Sequence, residues 1–274
     1  MNKPFTTPSA DSGPALLREQ QERVTVLTFN RPRSRNTLTE AMLKTLSETF
    51  ADIAKDRATR AVVIASEGPV FSAGHDLKEM TARRSDADGG RAYFKLIMET
   101  CSGMMQQIVG LPQPVIAAVE GTATAAGCQL VAACDLAIAS ESAKFGTSGI
   151  NVGLFCSTPM VALSRKVHRK HAMEMLLTGE LVSAPDAHRF GLVNRVVPAG
   201  KAREDAIALA QTIAAKSRAG IQLGKRAFYK QIEMPLAEAY RYTSEVMVEN
   251  MMEADAREGI GAFIDKRDPN FEKD

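Results

Sequence analysis

Along most of the chain, short apolar runs of period two alternate with longer runs of period three to four. Val24–Phe29 (VTVLTF) is β-branched and alternating, and it predicts a strand that stops at the turn Asn30-Arg31-Pro32. Thr39 stands where an N-cap belongs. Behind it, TEAMLKTLSETFADIAKD places Met42, Leu46, Phe50 and Ile53 on one helical face. Ala61–Ser66 (AVVIAS) predicts a buried strand, 94–109 a helix ending at Gly110-Leu111-Pro112, and Val115–Val119 (VIAAV) the next strand. CQLVAACDLAIAS then predicts a short buried helix followed by a strand holding Leu136 and Ile138. Repeated strand-turn-helix units of this kind predict an α/β core. The polar stretch 83–90, rich in Arg and Asp, is expected to be mobile.

From residue 202 the pattern changes to long amphipathic helices, AREDAIALAQTIAAKS and PLAEAYRYTSEVMVENMMEADAREGIGAF. Met247, Met251 and Met252, with Tyr240 and Val248, either pack down on the first half or cover a neighbouring subunit, since Met suits adaptable interfaces. The opening MNKPFTTPSADSGPA reads as a loose tail. The expected organisation is therefore a disordered tail over 1–15, a core over 16–200 and a helical region over 201–274.

Composition narrows the function classes. The 274 residues carry a net charge of +2 with Lys and Arg spread among Asp and Glu, so no basic stripe argues for nucleic acid. No apolar run reaches the roughly 18 residues of a membrane span. Cys101, Cys128, Cys134 and Cys156 lack C-x-x-C spacing, which fits neither zinc nor a disulfide framework, and no metal is expected. Reduced thiols and the lack of a leader pattern at the start predict a cytoplasmic protein.

The chemistry lies in two small-residue turns, FSAGHDLKEM around Gly74 and EGTATAAGCQL leading to Gly127, each between a strand-like and a helix-like run. Main-chain N–H groups at such helix starts can converge on one oxygen and stabilise the negative charge that a reacting carbonyl acquires. Asp76 is expected to cap the helix starting at Leu77, with catalysis as the alternative. A Ser-His-Asp set can be composed from Ser72, His75 and Asp76, but crowding into one turn speaks against it.

These blocks, together with PVIAAVEGTATAAGCQLVAACDLAIAS, AKFGTSGINVGL and REGIGAFIDKRDPNF, resemble the enoyl-CoA hydratase/isomerase (crotonase) superfamily over nearly the whole chain. The resemblance implies a spiral of strand-strand-helix units with a C-terminal helical trimerisation region, and an acyl-CoA thioester as substrate. Coenzyme A would enter as part of that substrate, with no tightly bound cofactor, and the assembly would be a homotrimer or a dimer of trimers. Carried over by position, the two oxyanion donors are the backbone N–H groups of His75 and Ala126. Ala126 stands where many members have glycine, so a positive φ there would put the hole in doubt.

The catalytic glutamates of the hydratases do not carry over, because their positions hold Gln129 and Gly149. A Gln can hold water but cannot trade protons near neutral pH, and a Gly can do neither. His75 could titrate near neutrality, unless its ring points away from the ligand. Asn151 is expected to hydrogen-bond locally, Asp135 to be a satisfied structural carboxylate, and the cysteines to be buried and inert, although Cys128 or Cys156 could in principle carry an acyl adduct.

By resemblance, Lys266 reaches the nucleotide part of CoA, with a solvated C-terminal lysine as the alternative; Arg35 and Lys78 are expected to add charge near the same entrance, and the main chain around Ser72, Ala73 and His75 to bracket the adenine and pantetheine arm. Leu77, Met80 and Phe155 are candidate walls for the acyl chain. The family implies an enzyme labelled as a hydratase, with hydration itself compromised. Alternatives are a malonyl-type decarboxylase, since INVGL and the GHD turn also resemble methylmalonyl-CoA decarboxylases, a thioesterase, and a non-catalytic acyl-CoA-binding regulator of lipid metabolism.

Overall fold

The computed structural model describes residues 13–271. It opens with β1 (Leu16–Gln21) antiparallel to β2 (Val24–Phe29). After helix α1 (Glu40–Lys55) the chain repeats one unit three times: a long strand, a short strand that leaves the first sheet for a second, and a helical turn. The first unit is β3 (Ala61–Ser66), β4 (Val70–Ser72) and α2 (Leu77–Ala82), followed by the long helix α3 (Arg91–Gly110). The second is β5 (Val115–Val119), β6 (Thr122–Thr124) and α4 (Ala126–Ala133). The third is β7 (Leu136–Ser140), β8 (Lys144–Gly146) and a 3₁₀ turn, Ser148–Val152. Helices α5 (Pro159–Leu163), α6 (Arg169–Thr178) and α7 (Ala184–Phe190) follow, with β9 (Val182–Ser183) before α7 and β10 (Arg195–Val197) after it.

The large sheet runs β1-β2-β3-β5-β7-β10 and the small one β4-β6-β8-β9. From β2 onward every pairing in the large sheet is parallel, so its strands are covered on both faces and read as nearly continuous apolar runs. One face, with Val62, Ile64, Val115 and Val119, packs on α1, α3 and α4 through Phe50, Met104 and Leu130. The other face, with Val63, Ile116 and Ile138, is covered by α8 (Ala202–Ala214), whose buried stripe Ala202, Ala206, Ala210 and Ala214 lets the helix lie close to the strands.

Sequence periodicity gives β2, α1, β3 and β5 their observed places, with Thr39 Oγ1 accepting from the Met42 N–H as the α1 cap. It misses β1, because LLREQQ is an edge strand whose only buried residue is Leu16. The stretch 83–90 is exposed apart from Gly90 and contains a 3₁₀ turn over Arg83–Ser85. Residues 1–12 of the expected tail lie outside the described residues; the carbonyls of Gly13, Pro14 and Ala15 accept hydrogen bonds from Arg31 and Asn30.

The C-terminal helices are α9 (Arg218–Gln231), α10 (Leu236–Met252) and α11 (Ala254–Ile264). Periodicity misses α9, in which only Ala227 is buried, and joins α10 to α11 across the extended residue Glu253. These helices pack on one another and are pinned to the core by a buried polar knot. Lys225 Nζ donates to Asp135 Oδ2 at 2.7 Å and to the Ile108 and Gln113 carbonyls, and Tyr229 Oη donates to Asp135 Oδ1 at 2.9 Å. Asp135 is thus a structural carboxylate that also receives the Val115 N–H. The Met-rich face does not pack down on the first half: Tyr240, Met247, Val248 and Met252 are exposed, the last by 72 %. Among the described residues, no helix is long and apolar enough to cross a membrane.

Candidate active site

The bends after β4 and β6 meet because these strands are parallel neighbours, with Ser72 in register with Ala123. A Cβ placed on Gly74 would lie 3.0 Å from the Ala126 nitrogen and 3.0 Å from the Ala125 Cβ, so the bends touch. Gly127 is held as tightly, since a Cβ there would come within 2.2 Å of the Ser72 carbonyl oxygen.

The first bend is fixed from outside by a buried asparagine. Asn36 Nδ2 donates to the Glu67 and Val70 carbonyls, and Asn36 Oδ1 accepts from the Arg31 N–H. Ser72 Oγ donates to the Asn36 carbonyl at 2.8 Å, the Ala73 N–H to the Arg35 carbonyl at 3.0 Å, and the Leu38 N–H to the Gly74 carbonyl at 2.8 Å. Asp76 Oδ1 caps α2 by accepting from the Lys78 and Glu79 N–H groups. Ser72 and Asp76 are therefore committed to structure, and no Ser-His-Asp relay exists in this turn.

The second bend is anchored by the Ala125 N–H, which donates to the Gly146 carbonyl at 2.9 Å. Positive φ falls on Ala125, at φ 50° and ψ −120°, and not on Ala126, which begins α4. Such a conformation costs an alanine about 1–3 kcal/mol and persists where surrounding contacts over-determine it. Among the described residues, no turn, loop or cap hydrogen bond uses the N–H of His75 or of Ala126.

The side chains around these amides are poor proton carriers. Both ring nitrogens of His75 are buried without a hydrogen-bond partner, and burial lowers the imidazole's pKa, with the nearby Leu38 backbone pulling weakly the other way. The ring is thus neutral at neutral pH and lies beside the Leu38 main chain. Gln129, one turn along α4 from Ala126, is 4 % exposed, and its Oε1 has no partner.

At Gly149 there is no room for a side chain. A Cβ there would meet the Leu154 carbonyl oxygen at 2.5 Å and Cys156 Sγ at 2.8 Å, because the chain folds back with the Leu154 N–H donating to the Gly149 carbonyl. Asn151 Nδ2 donates to the Gly179 carbonyl, a tie to α6's end instead of a local bond. Burial pushes the thiols of Cys101 and Cys128 up to about 12 and raises those of Cys134 and Cys156, which fits inert cysteines.

Arg35 joins the site through its carbonyl, and its side chain and that of Lys78 are exposed. Leu77 and Phe155 are exposed and Met80 half-buried, so core packing does not account for the first two. Lys266 is exposed just beyond α11 at φ 54°, with nothing joining it to the bends. The sequence reading missed the Ala125 conformation and the closure by Leu154 and Cys156. The only hint of the latter was a glycine two residues before Asn151.

The chain belongs to the enoyl-CoA hydratase/isomerase family, whose model matches residues 19–274. It is 48 % identical to the rat protein named "Enoyl-CoA hydratase domain-containing protein 3, mitochondrial" over 91 % of this chain and 82 % of the relative. The human relative of the same name is 47 % identical over 91 % of this chain and 81 % of the relative. TATAAGCQL, NVGLFCSTP and FYKQ are the blocks that resemble this branch.

Among solved structures, an enoyl-CoA hydratase from Mycobacterium smegmatis superposes with a TM-score of 0.90 at 52 % identity, covering 94 % of this chain and 99 % of that one. The human domain-containing protein 3 superposes with a TM-score of 0.89 at 46 % identity, covering 94 % and 100 %. The fold is the crotonase fold. The expectation of a cytoplasmic home is corrected, because the rat and human relatives are named as mitochondrial. Reduced thiols separate oxidising from reducing compartments and cannot choose among the latter.

Proposed function

We propose that this family member binds an acyl-CoA thioester with the acyl oxygen between the His75 and Ala126 amides, and stabilises negative charge there without the acid–base pair that hydration requires. The close approach of Gly74, which precedes His75, to the Ala126 nitrogen, with no turn, loop or cap hydrogen bond on either the His75 or the Ala126 N–H, supports this reading. One such donor is worth roughly 3 kcal/mol of charge stabilisation. The buried, unpartnered Gln129 Oε1 is suited to orienting a water or a ligand group but not to exchanging protons. The packed position of Gly149 leaves no room for a carboxylate, and the neutral His75 ring turns towards Leu38.

Arg35 and Lys78 would meet the phosphates of CoA as exposed charges at the entrance, and Lys266 would join them only if another copy brought it there. The exposed apolar residues of the C-terminal helices, with Phe263 at 85 % exposure, favour assembly as a homotrimer or dimer of trimers, which light scattering on the eluting protein checks.

The decisive experiment pairs crotonyl-CoA binding with loss of its enoyl absorbance. Saturable binding without turnover is expected. Hydration at rates of about 1–10³ per second would overturn the reading. Malonyl-CoA and a saturated acyl-CoA in the same assay separate a decarboxylase or thioesterase from a pure binder.

A further inference from the structure

Where α9 passes the end of α3 and the loop leading to β5, it borders a cavity of about 830 Å³. Five cations, Arg57, Arg218, Lys225, Arg226 and Lys230, line it against one carboxylate, Glu253. Not all five are available. Lys225 is neutralised by Asp135 at 2.7 Å, and Arg226 is paired with Glu249 at 3.5 Å. Lys230 lies over the Tyr242 ring at 4.4 Å, which leaves its charge uncompensated. Among the described residues, Arg57 and Arg218 have no carboxylate partner, and Arg218 Nε is buried with no hydrogen-bond acceptor at all.

A buried guanidinium N–H without an acceptor costs free energy unless a ligand or water completes it. Arg218 is also the first residue of the 14-residue helix α9, but the N-cap Ser217 donates to the buried Asp255 at 2.6 Å, so that helix end already has a carboxylate and the anion's partners are the side chains. The negative end of α3 in the opposite wall is masked, since Lys225 Nζ donates to the Ile108 carbonyl. Leu111, Pro112 and Leu223 complete an apolar side.

We propose that this cavity is a binding site for a phosphate-bearing small molecule, separate from the acyl site, with Arg218 and Arg57 as the anion's principal partners and Lys230 as the third charge. Guanidinium groups match the paired oxygens of a phosphate, and a volume of this order holds an organic phosphate as readily as an inorganic one. The apolar side would receive an organic portion where there is one.

Calorimetric titration of the full chain with inorganic pyrophosphate at low ionic strength tests the site. Saturable binding is expected, with Kd at least tenfold higher in an Arg57→Gln, Arg218→Gln variant and raised severalfold in Lys230→Gln. The exposed position of Lys230 keeps the test usable if the double variant unfolds. Because Arg35 and Lys78 are proposed to meet the phosphates of CoA, the titration is repeated in an Arg35→Gln, Lys78→Gln background, where saturable pyrophosphate binding that still depends on Arg57 and Arg218 is expected to persist. Absence of saturable binding, an unchanged Kd in both cavity variants, or loss confined to the Arg35/Lys78 variant would overturn the proposal. Repeating the titration with adenosine diphosphate in that Arg35→Gln, Lys78→Gln background separates the sources of the phosphate: tenfold tighter binding than pyrophosphate assigns an organic phosphate, and binding no tighter than pyrophosphate assigns the free anion.

Discussion

The second and third strand-strand-helix units share their strand plan and differ in how they end. After β6 the chain turns through the strained Ala125 into α4, and the first amide of that helix stays uncommitted beside Gly74. After β8 it makes a 3₁₀ turn and folds back, so that Leu154 and Cys156 occupy the space into which a side chain at 149 would project. A function carried by main-chain N–H groups survives almost any change of side chain, provided the bend survives. A function carried by a carboxylate needs a Cβ and room beyond it, and is lost once the backbone repacks. The same fold can therefore keep charge stabilisation while giving up proton transfer.

Attacking the open bend should have the largest effect. Gly127→Ala drives a methyl group into the Ser72 carbonyl, and denaturant unfolding should show a loss of about 3 kcal/mol together with loss of acyl-CoA binding. At the closed bend, Gly149→Glu should cost about 2 kcal/mol for the same steric reason. Combined with Gln129→Glu, it should still give no crotonyl-CoA hydration, since the restored carboxylate has no place to sit. Hydration by that double variant at ordinary enzyme rates would erase the distinction between the two bends.

Ala125→Gly should relieve strain and raise stability by about 1 kcal/mol in thermal unfolding, sharpening the view that the open bend is held under tension. The smallest effect concerns His75. Its pKa is lowered from the ordinary 6.5, so the unfolded chain binds the proton more readily than the fold does. Stability is then retained above that value and lost as the pH falls below it. His75→Gln should flatten this decline in unfolding curves taken between neutral and mildly acidic pH.

Much of this was legible in the chain. The spacing of Met42, Leu46, Phe50 and Ile53 gives α1, and VTVLTF and AVVIAS give the paired strands β2 and β3. The two bends, the cap at Asp76 and the structural role of Asp135 also follow from local residue types. Where the reading ran short, the local signal was faint or absent: β1 is a polar edge, α9 has almost no buried face, and the pattern of the C-terminal methionines left core and subunit cover both open until the fold showed them uncovered.

The residues alone determined the alternation of strand and helix, the presence of two small-residue turns and the lack of glutamate at 129 and 149, because each depends on period or on immediate neighbours. Only the tertiary structure decided that Gly74 touches Ala126, that Ala125 takes the strain, and that Leu154 and Cys156 close the third unit. Those outcomes follow from which strands lie side by side in the small sheet and how the chain returns from β8. Such contacts join segments far apart in sequence, or hang on a few ångströms of backbone path, and no local pattern encodes them.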